Sequence, residues 1–258
     1  MRTRDYELLN ELEESLWWFV GMREITATLL DPFCMPEGRS RLVLDAGCGT
    51  GGNLTWLKRY AGEKNTVGID LADEAVTYSR SGNDSVARAS ITVLPFGDSV
   101  FDLVTSFEVL GQLPAGDDEK ALREICRVLR PGGYAFIRVA AYEWMRSSHD
   151  AALLTTTRYR LPELVDMTTR AGLLTVRSTY ANAILLPVAA LRRLVLQRVG
   201  LSPSGSDVKP FPPPLAWLNR LLTRTLLQES RWLGKPNAAI PAGLSAICVA
   251  RKPAGLAG

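Results

Sequence analysis

Apolar positions along this chain follow two rhythms. Short apolar runs at 41–46, 66–69, 86–91, 101–105, 134–140, 174–180 and 244–251 are bounded by polar or turn-forming residues and predict seven strands. Between them, segments 53–60, 72–80, 119–129 and 161–171 space their apolar residues as helices do. Pro131-Gly132-Gly133 is the stop signal for the third of these helices. Strands alternating with helices predict an α/β fold, a doubly wound and mostly parallel seven-stranded sheet covered on both faces. Residues 5–30 read as a further helix, acidic at its start and aromatic at Trp17, Trp18 and Phe19, followed by a loop from Asp31 to Ser40.

The C-terminal part breaks the alternation. Roughly sixty residues separate the last two predicted strands, long for a connection inside one domain. They hold a helix-like run from Ile184 to Val199, the polar stretch SPSGSDVKPFPPP, and a second helix from Leu215 to Leu233. Leu215, Leu218, Leu222, Leu226 and Leu233 share one face of that helix, with Arg220, Arg224 and Arg231 opposite.

Composition narrows the class. The 258 residues are 47% hydrophobic and 22% charged, as expected of a globular protein with a sizeable core. A formal charge of +3 is too small to imply a nucleic-acid partner. Cys34, Cys48, Cys126 and Cys248 form no CxxC pair and no disulfide framework, and no metal site is expected. The charged N-terminus lacks a signal-peptide core, and Arg192 and Arg193 interrupt the longest apolar stretch, so a cytoplasmic location is expected.

The segment LVLDAGCGTGG at 42–52 carries the chemistry. Its glycines allow tight turning and close approach of backbone to a ligand. Gly47, Gly49 and Gly52 satisfy GxGxxG, a weak signal for a dinucleotide. Asp45 speaks against it: a carboxylate at the strand end repels pyrophosphate and suits a cationic or amino-bearing ligand. Asp70, ending the second strand, is placed to accept hydrogen bonds from ribose hydroxyls. A ribose and a positively charged amino-acid part without phosphate describe S-adenosylmethionine.

Four ordered stretches, LVLDAGCGTGG, VGIDLADEAV, LPFGDSVFDLVTSFEVL and ALREICRVLRPGG, resemble successive motifs of the class I S-adenosylmethionine-dependent methyltransferases, over about residues 41–140. More loosely, ELEESLWWFVGMR, AAYEWMRSSHD and PAGLSAICVARK are similar to segments of a bacterial subgroup. The resemblance implies a Rossmann-like core, read here as 41–182 and 240–254 behind an N-terminal helical cap at 1–40, while the length of the insertion before the last strand and its leucine face read as a helical lid at 183–239. It implies that Asp45 and the backbone of Gly47, Cys48, Gly49 and Gly51 hold the methionine part. Asp70 takes the ribose, Leu71 packs on adenine, and Phe107 joins the cofactor set. Ser90 stands where many relatives carry an adenine-binding aspartate, with Ile91 next to it, and Gln112 stands where many carry histidine.

Outside those motifs the readings divide. His149, the single histidine, precedes Asp150 and can act as a base oriented by a carboxylate, or simply bond backbone in a loop. Tyr142 and Trp144 can line an acceptor pocket or anchor a surface loop. Trp18 can close over the cofactor while Arg23 pairs with its carboxylate, or both can belong to a packed patch. Eight Lys/Arg against Asp207 and Glu229 between Arg192 and Lys235, beside the leucine stripe, favour a solvated outer face over membrane-surface contact or a lid for a hydrophobic substrate. The expected function is methyl transfer to an O, N or C atom of a small apolar metabolite. The alternatives are a non-methylating enzyme of the same fold, such as a cyclase, and a non-catalytic cofactor-binding subunit.

Overall fold

The computed structural model describes residues 10–35, 41–62, 64–80, 85–146, 150, 154–198 and 211–254. The polar segment 202–210, the loop at 36–40 and the start of the N-terminal helix therefore lie outside the described residues. No helix among the described residues is long and apolar enough to cross a membrane.

Seven strands form one sheet: β1 (Val43–Ala46), β2 (Thr66–Asp70), β3 (Val86–Arg88), β4 (Phe101–Phe107), β5 (Leu129–Ala140), β6 (Leu174–Ala181) and β7 (Ser245–Arg251). Their order is β3-β2-β1-β4-β5-β7-β6. The first five run parallel, and β7 lies antiparallel between β5 and β6. β1 is buried along its whole length, as a central strand paired on both sides must be. From β1 the chain winds outward through β2 and β3, then returns to build the other half from β4. Asp45 therefore ends up opposite Gly68 on one side and Thr105 on the other, beside the switch point where such sheets bind ligands.

The helices are α1 (Trp17–Cys34), α2 (Gly52–Ala61), α3 (Asp73–Arg80), α4 (Asp117–Val128), α5 (Leu161–Arg170), α6 (Leu186–Arg198) and α7 (Ala216–Leu233). α1 places Met22, Ile25, Leu29 and Leu30 in the main core at helical spacing. The chain breaks from helix over 13–16, so the N-terminal helix is not continuous as the sequence predicts. Past the break, α1 continues through Pro32 to Cys34, and Arg41 donates to the carbonyls of Phe33 and Cys34 at its end.

Two further departures have local causes. Pro131-Gly132-Gly133 does not stop α4, which already ends at Val128. β5 starts at Leu129, and the triplet bulges between the Phe101–Leu129 and Leu103–Tyr134 pairs. Gly132 adopts φ +80° there and its amide donates to the Lys252 carbonyl at 2.9 Å. The strand predicted over 86–91 stops at Arg88, because the Ser90 hydroxyl accepts the Thr92 amide at 3.2 Å and folds the chain into a turn.

The expectation of a lid over 183–239 meets a different packing in α7. Leu226 and Leu233 are buried, and Leu226 sits so close to Gly21 of α1 that a Cβ there would lie 2.4 Å from it. Asn219 Oδ1 accepts the Trp17 amide at 2.8 Å, and the Thr28 and Ser230 hydroxyls are 2.6 Å apart. Leu215, expected on the buried stripe, is exposed. Glu229 accepts the amides of Asn182, Ala183 and Ile184, fastening the chain after β6 to this helix. α7 is a brace on α1.

Candidate cofactor and acceptor site

The turn after β1 is shaped by glycines in left-handed conformations. Gly47 has φ +92°, and a Cβ there would meet Val109 Cγ2 at 2.2 Å, so the backbone runs tight against the chain leaving β4. Gly49 has φ +54° and would meet nothing within 4 Å, so this side of the turn is open. Gly51 precedes α2 as its N-terminal cap residue. The Gly47 and Cys48 amides donate to the Ile69 carbonyl at 2.8 and 2.9 Å, tying the turn to β2. Asp70 completes the tie: its two carboxylate oxygens accept the Gly49 and Ala72 amides, each at 3.0 Å. Each oxygen keeps a lone pair for a hydroxyl donor.

Around this turn three buried polar atoms have no hydrogen-bond partner among the described residues: Glu13 Oε1, Arg23 Nη2 and Asp45 Oδ2. Asp45 is fully buried, and its Oδ1 accepts the Thr105 hydroxyl at 2.8 Å. Burial pushes its carboxyl up to about 7, opposed by the Thr105 hydrogen bond, with the nearby Asp70 and Glu13 carboxylates adding to the rise. Glu13 folds back over the turn, where a Cβ on Gly52 would fall 1.6 Å from its Oε2. Burial likewise pushes Glu13 up to about 7 against the lowering effect of Arg23. Arg23 approaches Glu13 at 3.9 Å, too far for a hydrogen bond, while its Nε donates to Asn53 Oδ1 at 3.2 Å. Two carboxylates and a guanidinium, each with an unsatisfied atom, match the ammonium and carboxylate of an amino-acid head.

A second cluster lies at the ends of β4 and β5. Arg138 is buried, with the rings of Trp18 and Phe107 each 4.9 Å from its Cζ. Its Nε donates to Glu108 Oε1 at 3.0 Å, and Glu108 holds a left-handed φ of +62° just past β4. The structure thus brings Trp18, Arg23 and Phe107 to the same end of the sheet as Asp45.

The remaining sequence candidates are spread more widely. Cys48 is buried beside Ser79, and burial raises its thiol, which keeps it neutral. Leu71 is 62% exposed next to Asp70, free to receive a flat ring. The Ser90 hydroxyl is 2.8 Å from that of Thr92, whereas Ile91 buries its side chain in the core and presents only backbone. Gln112 is exposed on a short helical turn. Tyr142 stacks on Tyr180 and Trp144, and Trp144 borders an open groove of about 580 Å³ with Arg146, Arg158 and Glu163. That groove contains none of the glycine-turn residues. His149 lies outside the described residues. Asp150 is buried and pairs with Arg158, whose Nε donates to it at 2.7 Å while Nη1 reaches the Ala141 carbonyl at 2.9 Å.

Glu13, Thr105, Glu108 and Arg138 escaped the reading of the sequence. Arg138 had a signal, being one cation inside the apolar strand run AFIRVA. Glu13 had none, because it sits in an acidic stretch that looks solvated.

Strand order, switch point and glycine turn define the class I methyltransferase fold, and the turn with its unsatisfied head-group atoms fits S-adenosylmethionine. Residues 44–137 match the methyltransferase domain family Methyltransf_11, so this stretch of the chain carries a methyltransferase domain. It is similar to the fatty-acid O-methyltransferase of Mycolicibacterium smegmatis, 34% identical over 154 residues, covering 56% of this chain and 53% of that one. Against the ubiquinone/menaquinone biosynthesis C-methyltransferase UbiE of Klebsiella pneumoniae it is 36% identical over 110 residues, 39% of this chain and 43% of the relative. The chain spans about half the length of the curated relatives it matches. Among solved structures, a chain of the complex between the Haloferax volcanii Trm112 methyltransferase activator and a methyltransferase aligns with TM-score 0.58 and 24% identity, over 94% of this chain and 92% of that chain. The [4+2]-cyclase SpnF aligns with TM-score 0.55 and 20% identity, over 90% and 82%. Both share the fold.

Proposed function

We propose that this protein transfers the methyl group of S-adenosylmethionine to a small, apolar metabolite. The observation that carries the reading is the set of unsatisfied atoms on Glu13, Arg23 and Asp45 around a glycine turn that stays open at Gly49. When bound, S-adenosylmethionine supplies a methyl group on a positively charged sulfur. Asp45 and Glu13 balance the positive charge of its head, Arg23 and the N-terminus of α2 take its carboxylate, and Asp70 holds the ribose. Leu71 covers one face of the adenine.

Alignment of acceptor and methyl group supplies much of the rate in such a transfer, so the protein's main work is positioning and exclusion of water. Trp18 and Phe107 offer aromatic walls for this at the ends of β4 and β5. The names of two relatives, a fatty-acid methyltransferase and a quinone-biosynthesis methyltransferase, support an apolar acceptor. Calorimetry with S-adenosylmethionine, S-adenosylhomocysteine and NAD, followed by detection of S-adenosylhomocysteine released with a panel of apolar acids, alcohols and quinols, tests the reading. Preferred binding of the first two ligands and release with one acceptor class are expected. Tighter binding of NAD overturns the cofactor assignment, and cofactor binding without any release favours a cyclase-like or non-catalytic role.

A further inference from the structure

Arg138 is a cation that the cofactor reading leaves unused. It lies on β5 opposite Phe107, one strand beyond β4, whereas Arg23 stands over the glycine turn itself. A guanidinium stays charged when buried, so its burial calls for an anion. Glu108 provides one at Nε and Asp45 also favours its charge, while among the described residues the bond to Glu108 is the only hydrogen bond the Arg138 side chain makes. The other N–H donors of the fork remain without a protein partner there, framed by the faces of Trp18 and Phe107. A planar fork between two aromatic walls is the complement of a planar carboxylate carrying an apolar body.

We propose that Arg138 binds the carboxylate of the acceptor, which makes the substrate a carboxylic acid whose apolar part lies along Trp18 and Phe107. This rests on the methyl-transfer reading and narrows it. An ionised carboxylate needs no base: one of its oxygens forms the new bond to the methyl carbon, the carbon–sulfur bond breaks with its electron pair left on sulfur, and no proton is released. Glu108, held by Arg138, is then a positioning residue that fixes the guanidinium.

The test is calorimetric titration of the full chain, saturated with S-adenosylhomocysteine, with octanoate, dodecanoate and 4-phenylbutyrate, and with the alcohol and methyl ester of each. At least one acid is expected to bind tenfold or more tightly than its alcohol and ester. Arg138→Leu removes that preference, Arg138→Lys restores part of it, and S-adenosylhomocysteine affinity stays within threefold in both. Glu108→Gln keeps the guanidinium and frees its charge, so it is expected to tighten acid binding at least threefold even where the Arg138 variants do not fold. No preference for any acid over its alcohol overturns the proposal. So does a tenfold loss of S-adenosylhomocysteine in folded Arg138→Lys with acid binding unchanged, or weaker acid binding in Glu108→Gln. Acid binding that depends on Arg138 but yields no ester refutes methyl transfer and leaves this site standing. Methylation of an alcohol without acid binding does the reverse.

Discussion

Asp45, Gly47, Gly49 and Asp70 come from one strand–turn–helix–strand stretch, and backbone hydrogen bonds to Ile69 and Asp70 lock them together. Glu13 and Arg23 reach the same turn from the N-terminal segment, which α7 braces from about two hundred residues away through Asn219, Ser230 and Leu226. The first region is held by its own chain, which satisfies most of its polar groups and leaves Asp45 Oδ2 as the exception. The second leaves buried atoms of Glu13 and Arg23 unsatisfied, and its position depends on helix packing. One half of the site is built by local geometry and the other by distant support, so substitutions should act on them differently.

The largest effect is expected in the first region. Gly47→Ala forces a side chain into a left-handed conformation and against Val109, costing about 3 kcal/mol or more of stability. Gly49→Ala carries only the conformational cost, about 1 kcal/mol, yet puts a methyl group on the open side and should abolish cofactor binding. Denaturant melts and calorimetry on the pair separate fold from site. Equal stability losses would show that the two glycines do the same job.

Next comes the brace. Gly21→Ala collides with Leu226 and should lower stability by about 1–3 kcal/mol while hydrogen exchange quickens first in α1. Uniform quickening across the sheet would contradict a separate brace. Asp70→Ala is expected to weaken S-adenosylhomocysteine at least tenfold, about 1.4 kcal/mol, since it removes the proposed ribose acceptor and the anchor of the Gly49 amide. An unchanged dissociation constant in folded protein removes Asp70 from the site.

The smallest effect is in pH. Glu13 and Asp45 are pushed from the ordinary carboxylate range up to about 7, so the folded protein holds protons that the unfolded chain has lost. Their contribution to stability is therefore greatest below about pH 4 and falls as pH rises to about 7. Binding runs the opposite way, because a cationic head favours the ionised carboxylates. Affinity for S-adenosylhomocysteine should rise severalfold from pH 6 to 8 with proton release, measured by calorimetry in buffers of different ionisation enthalpy. Proton uptake would reverse the assignment of these carboxylates.

Local chemistry explains what the sequence made legible. Asp45, the glycines and Asp70 stand out in the sequence because strand, turn and carboxylate follow one another in the chain, and the seven strands emerge from apolar rhythm. The partnership of α7 with α1 was not legible. A leucine stripe states that a face is buried but not against what, and the structure packs this one at Leu226 against Gly21 of α1. Glu13 was hidden for a related reason: its burial comes from the chain break at 13–16, and helical periodicity gives no notice of that.

Whether Glu13, Arg23 and Asp45 form a cradle for an amino-acid head is tested most directly by comparing two ligands on wild type and Arg23→Leu. The ligands are S-adenosylhomocysteine and 5′-methylthioadenosine, which lacks that head. The variant is expected to lose at least tenfold in affinity for the first ligand and less than twofold for the second. Equal losses for both ligands, or no loss for either in folded protein, would contradict the cradle.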